Sequence, residues 1–288
     1  MQSSYPQHQY IISGHSPDVI FSSNASGLFS VQRNDLQSTV TPLRLETAEN
    51  AREVAGLLGF SLLDVFGNDR ILWVEGQTEE IVFPLILEAF DDPLSADFGV
   101  CAVAVNSSLT ASATRRNEVL TIYDNAGKRL APLLKGMAFG LDREKLSDES
   151  VPQFERSHRK LRFLKRRCLE NYLILPWAIR DRLAERGVDL SERQVSAEIA
   201  RIGGDRAFGA SSYWKNDTTD PKWLRWIDGA RLLEALFRNL TSNQHDYRKT
   251  EDSVAICRII LGREKDALIE LKNFIVDLVR IAKKDTRP

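Results

Sequence analysis

The sequence predicts an α/β protein: a mostly parallel sheet followed by a helical C-terminal region. Three observations lead there. Between residues 71 and 141, short apolar runs of strand length alternate with stretches of helical period. After Asp142 the pattern turns to helical periodicity. An apolar content of 43% in 288 residues is ample for one large core or two smaller ones.

Taken in order, QYIIS (9–13) reads as a short buried strand, and GHSPD as a turn leading to an extended or helical piece ending near Ile20. Residues 28–32 and 38–45 alternate as an antiparallel pair with its turn near Asn34-Asp35. A helix from about Ala48 to Leu58 follows, with Thr47 as its cap. The central strands are ILWV (71–74), GVCAVAV (99–105) and MAFGL (137–141). The intervening helices are 78–90, with Thr78 as N-cap, and about 115–136, broken at Gly127 or Pro132. Such strands belong to a parallel sheet, and ligands gather beyond their carboxyl ends. Downstream, 152–187 reads as helical with an interruption at Pro176, and 203–225 as irregular. Helices at 228–240 and about 252–282 complete the chain. The four tryptophans Trp177, Trp214, Trp223 and Trp226 read as packing for a small helical cap.

The net charge of −1 gives no general attraction to nucleic acid or membrane. Its distribution is less even: no lysine precedes Lys128, and RSHRKLRFLKRR (156–167) carries seven basic residues and no acid. At helical spacing Arg159, Arg162 and Arg166 share a face, which is either merely solvated or laid along a phosphate backbone. Cys101, Cys168 and Cys257 have no metal-type spacing, and Cys101 and Cys257 sit in apolar runs as small core residues. That usage fits a reducing, cytoplasmic setting. No apolar stretch has membrane-spanning length, so no membrane partner is expected.

The chemistry concentrates in acids. In ILWVEGQTEE (71–80) a strand runs into Glu75, turns at Gly76 and opens a helix with Glu79 and Glu80. Acids in a first helical turn suit the helix dipole without any further role. A second apolar strand, however, ends on Asp142, 67 positions later, with Glu144 two residues on. Two parallel strands of one sheet present their carboxyl ends on the same edge, so Glu75 and Asp142 are expected to converge with Glu79 and Glu144. Clustered carboxylates repel unless protonated or metallated. An all-oxygen set suits Mg²⁺ or Mn²⁺, which activate water and offset charge in phosphoryl transfer.

These residues also carry a resemblance. ILWVEGQTEE resembles the first motif of a Toprim domain, and FGLDRE its second, an Asp-x-Asp in which Glu144 stands for the second aspartate. RRCLENYLILP (166–176) resembles the Arg-x-x-Glu-Asn-Tyr segment of the OLD (overcoming lysogenization defect) nucleases. QYIISGHSPDVI (9–20) resembles the closing strand and switch histidine of the ABC-type ATPase domain that precedes Toprim in that family. The resemblance implies three parts: an ATPase-domain remnant over 1–46, a Toprim-like, Rossmann-type nuclease domain over 47–180 and a helical C-terminal region over 181–288. It implies a Mg²⁺- or Mn²⁺-dependent DNA endonuclease of phage defence. Glu75, Glu79, Asp142, Glu144 and Glu170 would be metal ligands, with Glu75 and Asp142 central to catalysis. Lys165 or Arg166 would contact the scissile phosphate, and His15 would be a vestigial ATP switch histidine. No phosphate-binding G-x-x-x-x-G-K-[ST] occurs, so ATP enters only if a complete ATPase domain is supplied. The chain then reads as the C-terminal piece of a longer protein, with DNA and a separate ATPase polypeptide or a second copy as partners. The alternative is a catalytically inactive module of a split or decayed ATPase–nuclease that keeps nucleic-acid or partner binding.

Overall fold

A computed structural model describes residues 11, 13, 27–34, 37–43, 70–93, 98–102 and 136–284. The expected helix at 48–58, all but the last residue of that at about 115–136 (Gly136 begins a strand), the end of the second central strand (103–105) and nearly all of 9–20 lie outside the described residues. The chain divides into two compact units, one of residues 1–67 with 113–133 and one of 68–112 with 134–288. In the first, β1 (Leu28–Asn34) and β2 (Gln37–Leu43) form the expected antiparallel pair, with Val31 opposite Val40 and Asn34 opposite Gln37.

The second unit is built on a four-stranded sheet. Its strands are β3 (Arg70–Val74), β4 (Gly99–Ala102), β5 (Gly136–Leu141) and β6 (Leu161–Phe163), in the order β4-β3-β5-β6 with every neighbouring pair parallel. The central strands β3 and β5 are almost wholly buried, which is why they read as unbroken apolar runs. Between β3 and β4 runs α1 (Gln77–Ala89). Its N-cap is Gly76 in extended conformation, not the expected Thr78. Thr78 is instead buried inside the first turn, its hydroxyl 3.4 Å from that of Thr250.

The basic run is not one helix. α2 (Ser150–Ser157) ends at its second residue, and β6 takes its centre. Leu161 and Phe163 are buried while Arg162 between them pairs with Asp277 at 3.1 Å, a period of two. β5 supplies the open edge: Phe139 N–H donates to Lys160 O at 2.8 Å, and Leu164 N–H to Leu141 O at 2.9 Å. Arg159, Arg162 and Arg166 therefore share no helical face. A 3₁₀ turn (Leu169–Tyr172) follows, and Pro176 begins α3 (Pro176–Glu185) as its first residue, where a missing N–H costs nothing.

The remaining helices are α4 (Glu192–Ile202), α5 (Pro221–Trp226), α6 (Gly229–Leu240), α7 (Lys249–Glu264) and α8 (Ile269–Lys284). The single helix expected at about 252–282 is thus two, joined by a 3₁₀ turn at Lys265–Leu268. α8 lies against β5 with no room for side chains between: a Cβ on Gly136 would fall 1.7 Å from Ala282 O, and one on Gly140 2.7 Å from Leu278 Cδ1. Phe83 of α1 meets Phe274 of α8 edge to face, with centroids 6.1 Å apart. Leu72, Val74 and Ala138 of the sheet belong to one continuous core with buried residues of α3, α4, α6, α7 and α8, so the helices beyond residue 180 complete the hydrophobic layer over the sheet. Trp223 is fully buried there, its indole N–H donating to Gly203 O at 2.9 Å and its ring packed on Trp214. The three cysteines are buried and form no disulfide. Among the described residues no helix is long and apolar enough to cross a membrane.

Candidate functional site

The β3–β5 register pairs Val74 with Gly140, so the residues following both strands emerge side by side at the carboxyl edge. Asp142 N–H donates to Glu75 Oε2 at 3.2 Å, joining the two acidic motifs across 67 positions of sequence. One turn into α1, Glu79 is buried, and its Oε2 lies 3.0 Å from where a Cβ on Gly76 would be. Gly76 therefore does more than turn the chain: it leaves room for the Glu79 carboxylate to fold back toward the strand end.

Glu170 completes the group. It sits in the 3₁₀ turn with no exposed surface, and neither carboxylate oxygen has a hydrogen-bond partner. A buried carboxylate without hydrogen bonds is costly unless it is protonated or a cation lies nearby. The cation present is Lys249, the first residue of α7, whose Nζ is 3.4 Å from Glu170 Oε1. The acids also feel one another. Burial raises Glu79 from its ordinary 4.5 to about 7, and the Glu170 charge adds to this. Burial likewise raises Glu75 to about 7, against the lowering effect of the Asp142 N–H. Asp142 is pushed well above its ordinary value, first by burial and then by Glu75, Glu79 and Glu170. Lys249 is pushed up, chiefly by attraction to Glu170.

Of the other expected site residues, Glu144 lies close enough for its charge to raise Glu75, but its carboxylate is drawn to an arginine. Glu144 has a left-handed backbone, φ 52°, and its carboxylate lies 3.4 Å from Arg167 Nε. Arg167 in turn binds Asp228 at 2.6 Å. Burial raises the Glu144 pKa and Arg167 opposes the rise. Arg166 is committed to its own segment: the guanidinium lies 4.4 Å over the Tyr172 ring, donates to Asn171 O at 2.9 Å and pairs with Glu270 at 3.5 Å. Lys165 is exposed, and its carbonyl accepts from Arg143 Nη1 at 3.2 Å. His15 lies outside the described residues.

The Glu-Asn-Tyr stretch divides its labour. Asn171 donates to Leu224 O at 2.7 Å and Ile227 O at 2.8 Å, and accepts from Gly229 N–H at 3.2 Å and the Cys168 thiol at 3.0 Å. Tyr172 Oη accepts from Arg166 N–H at 3.2 Å. Both fix the turn that aims Glu170 inward. On the facing element, Asp252 is fully buried and receives Arg182 at 2.9 Å, Arg186 at 3.0 Å and Arg248 N–H at 2.6 Å. This clamp holds the start of α7, and with it Lys249.

Lys249 is the residue that sequence reasoning missed. Its signal was present: a lysine at the first position of a helix opposes the dipole, where an acid is favoured. Glu251 and Asp252 in the same turn suit the dipole, and the partner of the lysine itself is the distant Glu170.

Among the described residues, no group of three or more His, Cys, Asp or Glu side chains is spaced to hold a metal ion as the chain stands. The donor types suit a hard divalent cation: all-oxygen, carboxylate-rich, and including a Glu170 carboxylate that accepts no hydrogen bond. No protein-family model, curated protein or solved structure matches the chain.

Proposed function

We propose that this chain is a metal-dependent nuclease module of the Toprim type, acting on DNA phosphodiester bonds and coupled to an ATPase of the OLD kind. The observation that carries the reading is Glu170: a wholly buried carboxylate with neither oxygen hydrogen-bonded and only the Lys249 ammonium beside it, close enough to Glu79 and Asp142 to raise their pKa values. So many acids at one strand edge are a fold liability unless positive charge is supplied. Glu75, Glu79, Asp142 and Glu170 would hold Mg²⁺ or Mn²⁺, which when bound supplies a polarised water and charge stabilisation for phosphoryl chemistry. The chain's own part is to hold these oxygens rigid through Asn171 and the Gly76 turn, and to keep the Lys249 ammonium beside them. Glu144, drawn to Arg167, belongs to the rim.

The test is cleavage of supercoiled plasmid and linear duplex with Mg²⁺ or Mn²⁺, and with EDTA as control. Asp142→Asn removes a hard anionic donor at constant shape and is expected to abolish cleavage. Wild-type cleavage by that variant removes Asp142 from the site.

A second reading, a catalytically inactive nucleic-acid- or partner-binding module, is favoured by two observations. Lys249 already supplies a cation to Glu170, and among the described residues no set of three acids is at ligand spacing. Under it, the lysine permanently neutralises a former site, and Lys249→Met destabilises the fold without changing metal affinity.

A further inference from the structure

Arg143 directly follows Asp142 yet turns away from the carboxylates, and it is almost completely buried. Its guanidinium donates to Leu146 O at 2.9 Å and Lys165 O at 3.2 Å and pairs with Asp148. It also lies 4.5 Å over the ring of Trp226. Three segments distant in sequence therefore meet at one side chain: the loop 142–148, the turn at 165–167 and the end of α5. Arg225 joins them, reaching Asp148 and the Trp226 ring, while its carbonyl accepts from Arg167 N–H at 2.9 Å. On Trp226 lies Tyr213, nearly parallel at 19° with centroids 6.4 Å apart. Tyr213 is 38% exposed, a large aromatic surface left open at the end of a short 3₁₀ turn. Lys145 and Lys165, on the two loops that Arg143 ties together, are exposed as well.

A rigid aromatic ring facing solvent, backed by a second ring and by guanidinium groups, with lysines alongside, has the composition of a base-stacking platform. We propose that Tyr213 on Trp226 is a stacking ledge for an unpaired base of a nucleic-acid strand, with Lys145 and Lys165 taking its phosphates. Arg143, whose guanidinium lies over Trp226, directly follows Asp142 in the chain, which ties the ledge to the loop that leaves the carboxylate cluster. This deepens the nuclease reading, and rests on it for the class of ligand, by specifying a single-stranded or locally opened substrate. A duplex, whose bases are stacked inward, offers the ring nothing to stack on.

Binding alone tests it, in EDTA and with the full chain, so a failure of cleavage does not bear on the result. Fluorescence anisotropy compares labelled oligothymidylate with a duplex of the same length. Wild type is expected to prefer the oligothymidylate. Tyr213→Ala is expected to weaken that binding about 5- to 100-fold and to leave duplex binding within about twofold, the range for losing one base–aromatic stack. Tyr213→Phe, which keeps the ring, restores the affinity. Lys165→Gln lowers the salt dependence of binding, with one fewer counterion released. Equal oligothymidylate affinity in wild type and Tyr213→Ala overturns the ledge. So does a wild-type preference for duplex, or an absence of binding to either, which would leave the patch to a protein partner. Circular dichroism confirms that the exposed Tyr213 variants fold.

Discussion

Replacing Glu79 by Gln is expected to make the metal-free protein more stable at alkaline pH. Glu79 is 4% exposed and titrates at about 7 in the fold against an ordinary 4.5. The folded pKa lies above the unfolded one, so the folded state binds the proton more tightly. The penalty is therefore absent below pH 4.5, grows as pH rises toward 7 and is constant above. A difference of that size corresponds to about 3 kcal/mol at pH 8. Gln keeps the shape of the side chain and removes the charge, and the space over Gly76 into which it folds remains. Thermal and urea unfolding in EDTA, at pH 4.5 and pH 8, read the effect. At pH 8 the variant should melt about 6–12 °C above wild type, on the scale of roughly 2–4 °C per kcal/mol for a unit of this size. At pH 4.5 the two should coincide. A variant no more stable than wild type at pH 8, or one equally stabilised at both pH values, would refute the claim that the buried Glu79 charge strains this site.

Three further outcomes follow from the packing. Gly136→Ala should abolish soluble folded protein, because its Cβ would overlap the Ala282 carbonyl of α8 at 1.7 Å; a folded variant with an unchanged melting temperature would disprove that close approach. Asp252→Ala removes the buried acid that Arg182, Arg186 and the Arg248 N–H share, leaving the arginines their exposed partner Glu251, and should cost about 1.5–3 kcal/mol in urea unfolding; a loss below about 0.5 kcal/mol would mean the clamp carries no stability. Arg166→Ala should lower stability through lost contacts to Tyr172, Asn171 and Glu270 while leaving the salt dependence of DNA binding unchanged; a reduced salt slope would return Arg166 to a phosphate-contacting role.

The sheet edge was legible because its signals are local. Buried parallel strands write themselves as apolar runs, and both β3 and β5 stop at an acid. Parallel topology then brings Glu75 to Asp142 without further information. β6 was not legible: three residues in a basic run cannot establish a period, and only the open edge of β5 makes Leu161–Phe163 a strand. The same limit hid the roles within Arg-x-x-Glu-Asn-Tyr. Arg166 looks like a phosphate contact by charge, yet Tyr172 and Glu270 claim it. Asn171 looks incidental, yet its side chain joins the 3₁₀ turn to the α5–α6 junction some 55 positions away. The Lys249–Glu170 pair spans two segments with no shared motif, and only the packing of α7 brings them together.

The central claim is that the carboxylate edge takes a divalent cation, and titration calorimetry with Mn²⁺ on the full chain tests it without reference to any reaction. Wild type is expected to bind Mn²⁺ saturably, and Glu170→Gln, which keeps the shape of the side chain while removing its charge, to weaken that binding at least about tenfold. Binding that is unaltered in Glu170→Gln, or no saturable binding by wild type at millimolar Mn²⁺, would contradict it.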